Sequence, residues 1–209
     1  MLYENYPELL PVKPQIDAAI GLISDCYRYG GKVMTAGNGG SAADSEHIVG
    51  ELMKGFKSKR PVIDPRIPKE LASKLQGALP AISLSNGLAL PTAYLNDVDA
   101  EYTIAQTLYG LAKPGDLAIL ISTSGNAKNL GHAAELARCI GVKTIALTGA
   151  GGGRLAALCD LTIRVPGPRP TGYRSITCRS TMSSVPESRR FFSLNRDEHE
   201  KTPIREFFR

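Results

Sequence analysis

Nowhere in the 209 residues is there an unbroken apolar stretch of the roughly 18 residues that a membrane-spanning helix needs. The opening MLYENYPELLPVKP holds acids and prolines where a secretory leader would be basic and then apolar. Both absences predict a soluble, cytoplasmic protein without a membrane partner. Cysteine is scarce: Cys26, Cys139, Cys159 and Cys178 stand far apart, and no CxxC pair suggests zinc or redox chemistry. They read as free thiols, with Cys26 and Cys139 serving as small apolar residues on helices. A nucleotide-binding loop is missing too. GNGG is not followed by Gly-Lys-Ser/Thr, and Ala42 stands where a GxGxxG motif would close on glycine.

The formal net charge is +5. Nine Lys/Arg against five Asp/Glu lie from Arg169 onward, which leaves sixteen against fifteen before it. The globular part is therefore nearly neutral. A basic tail without helical or aromatic spacing gives no surface on which phosphates of a nucleic acid would be gripped together, so no nucleic-acid partner is expected.

What is present is alternation. Residues 12–29 place Ile16, Ala19, Ile20, Leu22, Ile23 and Cys26 near helical spacing, and Gly30-Gly31 ends the segment. This N-terminal helix either packs on a partner subunit or covers one face of its own domain. Short apolar strands follow at 32–36, 80–84, 117–121, 143–147 and 161–165. Helices are expected from Ser41, around 93–111, over 128–140 and near 154–158. Such alternation predicts an α/β fold, a doubly wound parallel sheet of five strands covered on both faces. The division is an N-terminal helical extension over 1–30, an α/β domain over 31–166 and an irregular tail over 167–209, the last rich in Ser, Arg and Pro. The Lys-, Arg- and Pro-rich stretch 57–77 reads as a long excursion with a short helix at 68–75.

Ligands of open parallel sheets bind at the carboxyl ends of the strands. Two loops there, AGNGGSAAD (36–44) and STSGN (122–126), each run from a strand into a helix. Glycines let the backbone approach an anion, helix-start amides point at it, and hydroxyls add donors. Taken singly, Ser41 and Ser124 read as helix caps. Together the loops read as a phosphate or sugar-phosphate site. A third glycine-rich turn, TGAGGGR (148–154), reads as a flexible tight turn.

On the helix after Ser41, His47 and Glu51 are four residues apart and share a face. Such a pair is commonly a surface ion pair. Imidazole and carboxylate at this spacing also suit a divalent metal, and a glutamate can exchange protons with a substrate carbon. Asn96-Asp97 interrupts the apolar TAYLND segment, either as an ordinary turn or as donors and acceptors for sugar hydroxyls.

Taken together, AGNGGSAADSEHIVGE, LND and ISTSGN resemble the SIS (sugar isomerase) domain, in its phosphoheptose isomerase branch, over residues 32–166. The resemblance implies a flavodoxin-like fold and a homotetramer binding phosphosugars at strand ends and between subunits. It also implies aldose–ketose isomerisation of sedoheptulose 7-phosphate through an enediol. By position, Asn38, Gly39, Gly40, Ser41, Asn96, Asp97, Ser122, Thr123 and Ser124 would contact the substrate. His47 and Glu51 match two metal ligands, for zinc, and Glu51 a catalytic acid/base.

Two departures stand out. Ala127 takes the place of a family serine that helps hold phosphate. The family's later Gln and, about eight residues on, His have no counterpart after Thr171, where His199 in DEHEK is the one histidine. The abrupt change after about Gly167 reads as a reading-frame slip. Two functional readings follow: a phosphosugar isomerase, inactive as written if those groups are indispensable, or a non-catalytic phosphosugar-binding or protein-interaction module.

Overall fold

The computed structural model describes residues 2–55 and 60–166. The tail after Pro166, with Cys178 and His199, lies outside the described residues, as does part of the 57–77 excursion. The chain starts with a short helix α1 (Leu2–Asn5), a 3₁₀ segment (Pro7–Val12) and α2 (Lys13–Arg28). It continues through β1 (Val33–Gly37), α3 (Gly40–Met53), α4 (Lys69–Ala72), β2 (Ala81–Ser83), α5 (Ala89–Asp97) and α6 (Thr103–Leu111). Then follow β3 (Leu117–Ser122), α7 (Lys128–Cys139), β4 (Lys143–Gly149), α8 (Leu155–Leu158) and β5 (Leu161–Val165).

The five strands are parallel in the order β2-β1-β3-β4-β5. Side chains alternate across the sheet with period two. On one face Val33, Leu117, Ile119, Ile121, Ile145 and Leu147 pack with Ile16, Ala19 and Ile23 of α2 and with Ile48 and Leu52 of α3. On the other, Met34, Ala36, Ala118, Leu120 and Ala146 meet Ile104 and Leu108 of α6 and the small Ala133, Ala134 and Ala137 of α7. Burying each large aliphatic side chain contributes about 1.5–3 kcal/mol, so two such faces hold the sheet between its helices.

Of the two readings open for the N-terminal helix, α2 takes the second: it covers the sheet of its own chain. Pro14 begins it without losing a helical bond, and Gly30 at φ 72° ends it, a conformation that penalises residues with a Cβ. One expectation needs correction. The helix expected around 93–111 is two helices, because α5 stops at Asp97 and the backbone of Val98 leaves helical geometry (φ −129°, ψ −83°). Asp99 then accepts a hydrogen bond from the Glu101 amide and opens a 3₁₀ turn, Ala100–Tyr102, before α6. Apolar spacing continues across the break, and local Asp chemistry makes it.

Below the sheet, at the start of β3, the buried Asp116 accepts from the Lys32 amide at 2.9 Å, the Lys113 amide at 2.9 Å and Lys32 Nζ at 2.5 Å. This joins the entrances of β1 and β3. Their exits are thereby brought to one level at the opposite edge, where the candidate residues lie.

Candidate functional site

Strand order reverses between β1 and β3, since the chain leaves β1 toward β2 on one side and resumes at β3 on the other. In parallel sheets a crevice opens at that point, at the carboxyl ends. Gly37 is the register partner of Ile121 and Ser122 the partner of Thr148. The loops after β1, β3 and β4 therefore leave side by side, about 4.8 Å apart strand to strand.

The first loop is held by Ser85, which follows β2. Its Oγ accepts from the Gly37 amide at 3.0 Å and donates to the Gly37 carbonyl at 2.7 Å. Below it, Ser45 Oγ lies 3.0 Å from Thr35 Oγ1 and 2.7 Å from Ser83 Oγ, a buried hydroxyl chain tying α3 to β1 and β2. Gly37 cannot be replaced without movement, since a Cβ there would lie 2.4 Å from the Ser41 carbonyl oxygen. The cap of α3 is Gly39, with no side-chain hydrogen bond to the helix. Ser41 is buried inside the first turn instead.

The second loop has the same character. Ser122 ends β3 and is buried, whereas Thr123 and Ser124 are exposed. Ser124 Oγ accepts from the Asn126 amide at 3.2 Å. The cap of α7 is Ala127, again without a side-chain bond. Neither Ser41 nor Ser124 is a cap, so the ordinary reading of these serines does not apply. Two helix starts, each with partial positive charge and a cap residue that makes no side-chain bond, open at one crevice.

The third loop differs from expectation. Rather than a loose turn, 148–154 is wedged against the serine loop: the Gly149 amide donates to Thr123 O at 3.0 Å, the Leu155 amide to Gly125 O at 2.9 Å, and the Arg154 amide to Asn126 Oδ1 at 2.9 Å. The run of three glycines is its signal in sequence. They are needed for close approach, as a Cβ on Gly153 would lie 2.4 Å from the Ser124 carbonyl oxygen.

A cavity of about 230 Å³ lies beside the first loop, lined by Gly37, Asn38, Gly39 and Ala42, by Ser85, and by Asn129 of α7, with Pro91, Thr103 and Ile104 opposite. Gly40 and Ser41 begin α3 next to it. Ser122, Thr123 and Ser124 stand on the neighbouring loop and are not among its walls. Asn96 and Asp97 are exposed on the last turn of α5, with Asn96 Nδ2 donating to Asp97 Oδ1 at 2.7 Å, and they do not line the cavity either.

On α3, His47 Nε2 lies 3.9 Å from Glu51 Oε1, with the imidazole half exposed and the carboxylate largely covered. Tetrahedral zinc with bonds of about 2.1 Å has ligand atoms ~3.4 Å apart. The pair thus suits two positions of a metal. Among the described residues no third His, Cys, Asp or Glu joins them.

One cluster escaped the sequence reading. His132 of α7 stacks on Tyr102 at a centroid distance of 4.1 Å, between Glu135 at 3.3 Å and Glu101 at 3.7 Å. Its hydrogen bond, followed by Arg154, holds the Glu135 carboxyl below the usual range. Only the His132/Glu135 spacing was visible beforehand. Glu101 and Tyr102 arrive through the unexpected 3₁₀ turn.

The SIS domain model matches residues 12–149. The chain belongs to the SIS domain family. A phosphoheptose isomerase of Akkermansia muciniphila is 37% identical over 163 residues, covering 78% of each chain. One from Rhodospirillum rubrum is 41% identical over 153 residues, covering 73% of each. The solved phosphoheptose isomerase of Neisseria gonorrhoeae superposes with a TM-score of 0.71 at 27% identity, over 85% of this chain and 86% of its own. That of Francisella tularensis gives 0.70 at 28% identity, over 82% and 83%. The match begins at Val12, just before α2, and ends with β4, so it includes the N-terminal helix and four of the five strands.

Proposed function

We propose that this SIS-domain protein is a phosphosugar isomerase acting on sedoheptulose 7-phosphate, interconverting it with the aldoheptose 7-phosphate. The observation that carries the reading is the pair of loops, 37–40 and 122–126, side by side at the reversal of strand order with two helix starts behind them. Phosphate suits such a place because amides and hydroxyls can surround it while the helix termini offset its charge. Asn38, Gly39, Gly40 and Ser41 would bind from the first loop and Ser122, Thr123 and Ser124 from the second, with Asn96 and Asp97 reaching sugar hydroxyls. Ala127 offers no hydroxyl, so the phosphate grip rests on the loop itself.

For the chemistry, Glu51 as carboxylate takes the proton from C1 of the ketose while a proton is delivered to the C2 oxygen. This gives the enediol. Loss of the O1 proton and return of the carbon proton to C2 yield the aldose. His47 and Glu51 would hold a divalent metal, zinc by the family resemblance. When bound it supplies positive charge beside the enediolate oxygens. Among the described residues no third His, Cys, Asp or Glu completes that ligand set.

A homotetramer in the cytoplasm completes the proposal. It is supported by α5, which buries none of its residues and leaves Leu88, Leu95 and Val98 exposed around it. Among the described residues no helix is long and apolar enough to cross a membrane.

Calorimetry with sedoheptulose 7-phosphate tests the site. Replacing Ser122 and Ser124 together with Ala should weaken binding by about 3–6 kcal/mol, from about 1.5–3 for each hydrogen bond to a charged group. Unchanged affinity in the double variant would remove the serine loop from the site.

A further inference from the structure

A side-chain pair that joins Asn38 to Asn129, a residue outside the proposed substrate contacts, spans the crevice. Asn38, on the loop after β1, and Asn129, in the first turn of α7, exchange two hydrogen bonds: Asn38 Nδ2 donates to Asn129 Oδ1 at 3.0 Å, and Asn129 Nδ2 donates to Asn38 Oδ1 at 2.9 Å. Both residues line the cavity. They are 91 positions apart in the chain, and their loops leave neighbouring strands.

The orientation of the pair is determined by chemistry. Asn129 Oδ1 also accepts from the Leu130 amide at 3.0 Å, and a backbone N–H can only donate. The oxygen of Asn129 must therefore face its own helix start, which settles the usual ambiguity between amide O and N. Asn38 then has one compatible orientation, nitrogen to Asn129 Oδ1 and oxygen to Asn129 Nδ2. Leu130 is fully buried beneath, anchored among Ala133, Ala134 and Leu120 of the second core face. Orientation thus passes from a rigid helix turn, through Asn129, to a side chain on a glycine-flanked loop. The pair uses one of the two hydrogens on Asn38 Nδ2 and one of the two lone pairs on its Oδ1, and the others can serve a ligand.

We propose that Asn129 is a positioning residue: it fixes the amide of Asn38 and with it the separation of the two phosphosugar-binding loops, acting on the ligand through Asn38. This rests on the proposed reading of the crevice as the phosphosugar site. Without Asn129 the loop 37–40, whose Gly39 needs positive φ, keeps its backbone anchor to Ser85 and loses its side-chain anchor to α7.

The test is a double-mutant cycle on the full chain, with sedoheptulose 7-phosphate titrated calorimetrically well below the melting transition of every variant. Asn129→Ala and Asn38→Ala should each weaken binding about tenfold, the scale of one or two hydrogen bonds. The double variant should be no weaker than the weaker single one, since Asn129 has no effect once Asn38 is gone. Melting temperatures taken alongside separate positioning from support: a purely structural Asn129 would lower the melting temperature and leave the affinity of the folded protein unchanged. That result would overturn the proposal. Additive losses would overturn it too, because they would make Asn129 an independent ligand contact. Wild-type protein that binds no sugar phosphate would remove the site reading itself and the positioning role with it.

Discussion

Replacing Gly125 with Ala tests whether the third loop buttresses the serine loop. Gly125 has φ +69°, and an added Cβ would lie 2.0 Å from the Gly152 carbonyl oxygen and 2.9 Å from the Gly153 amide nitrogen. The left-handed conformation costs a residue with a Cβ about 1–2 kcal/mol. Forcing a methyl into a closed contact costs about 1–3 kcal/mol more. Contacts below 3.0 Å are not tolerated, so backbone must give way by at least the missing 1.0 Å. Neither neighbour is a flexible side chain, and the two loops must part. The expected loss of stability is about 2–5 kcal/mol, which for a chain of this size lowers the melting temperature by about 4–20 °C. A loop displaced by about 1 Å should also weaken binding of the sugar phosphate about tenfold or more, the scale of one lost hydrogen bond to a charged group. The assay is a thermal melt paired with calorimetric titration of sedoheptulose 7-phosphate. Gly125→Ala with a melt within 1 °C of the parent and affinity within about twofold would refute the buttress.

Gly21→Ala is the opposite case: Gly21 lies mid-way in α2 with nothing within 4 Å of an added Cβ, so the variant should gain about 0.5–1 kcal/mol in a denaturant melt. Burial pushes the Cys26 thiol up to about 12, aided by nearby Asp116. A thiol raised in the folded state contributes stability below its unfolded value of 9.0 that is lost as pH rises from there toward 12. Stability should fall above pH 9, and Cys26→Ala should flatten that fall in melts taken from pH 8 to 11. Removing the partner of buried Asp116 with Lys32→Met should cost about 3 kcal/mol, the low end for a broken buried pair because two backbone amides remain on the carboxylate. Lastly, codons compatible with residues 168–182 permit, when shifted by one base, a Gln followed about eight residues later by a His. Sequencing that region of the gene checks the proposed frame slip, and a clean frame together with isomerase turnover by the 209-residue product would dispose of it.

Sequence by itself determined the architecture. The period-two strands, the helical spacing of Ile16, Ala19 and Ile23 and the two strand-to-helix loops are local patterns, and local patterns survive in one dimension. The β5 limits and the α7 start agree with the residues read beforehand. Elsewhere strand ends move by a residue or two, the short helix read at 68–75 is Lys69–Ala72, the helix read from 93 begins at Ala89, and α5 and α6 separate because one Asp at position 99 outweighs continuous apolar spacing. The site was legible as residue types on two loops. What only tertiary structure decided was how those loops are held. Asn38 and Asn129 meet across 91 positions, Gly125 packs on Gly152 and Gly153, and His132 finds Glu101 and Tyr102. Each of these contacts depends on strand order and register, which bring distant residues to one edge of the sheet, and no spacing along the chain encodes that distance.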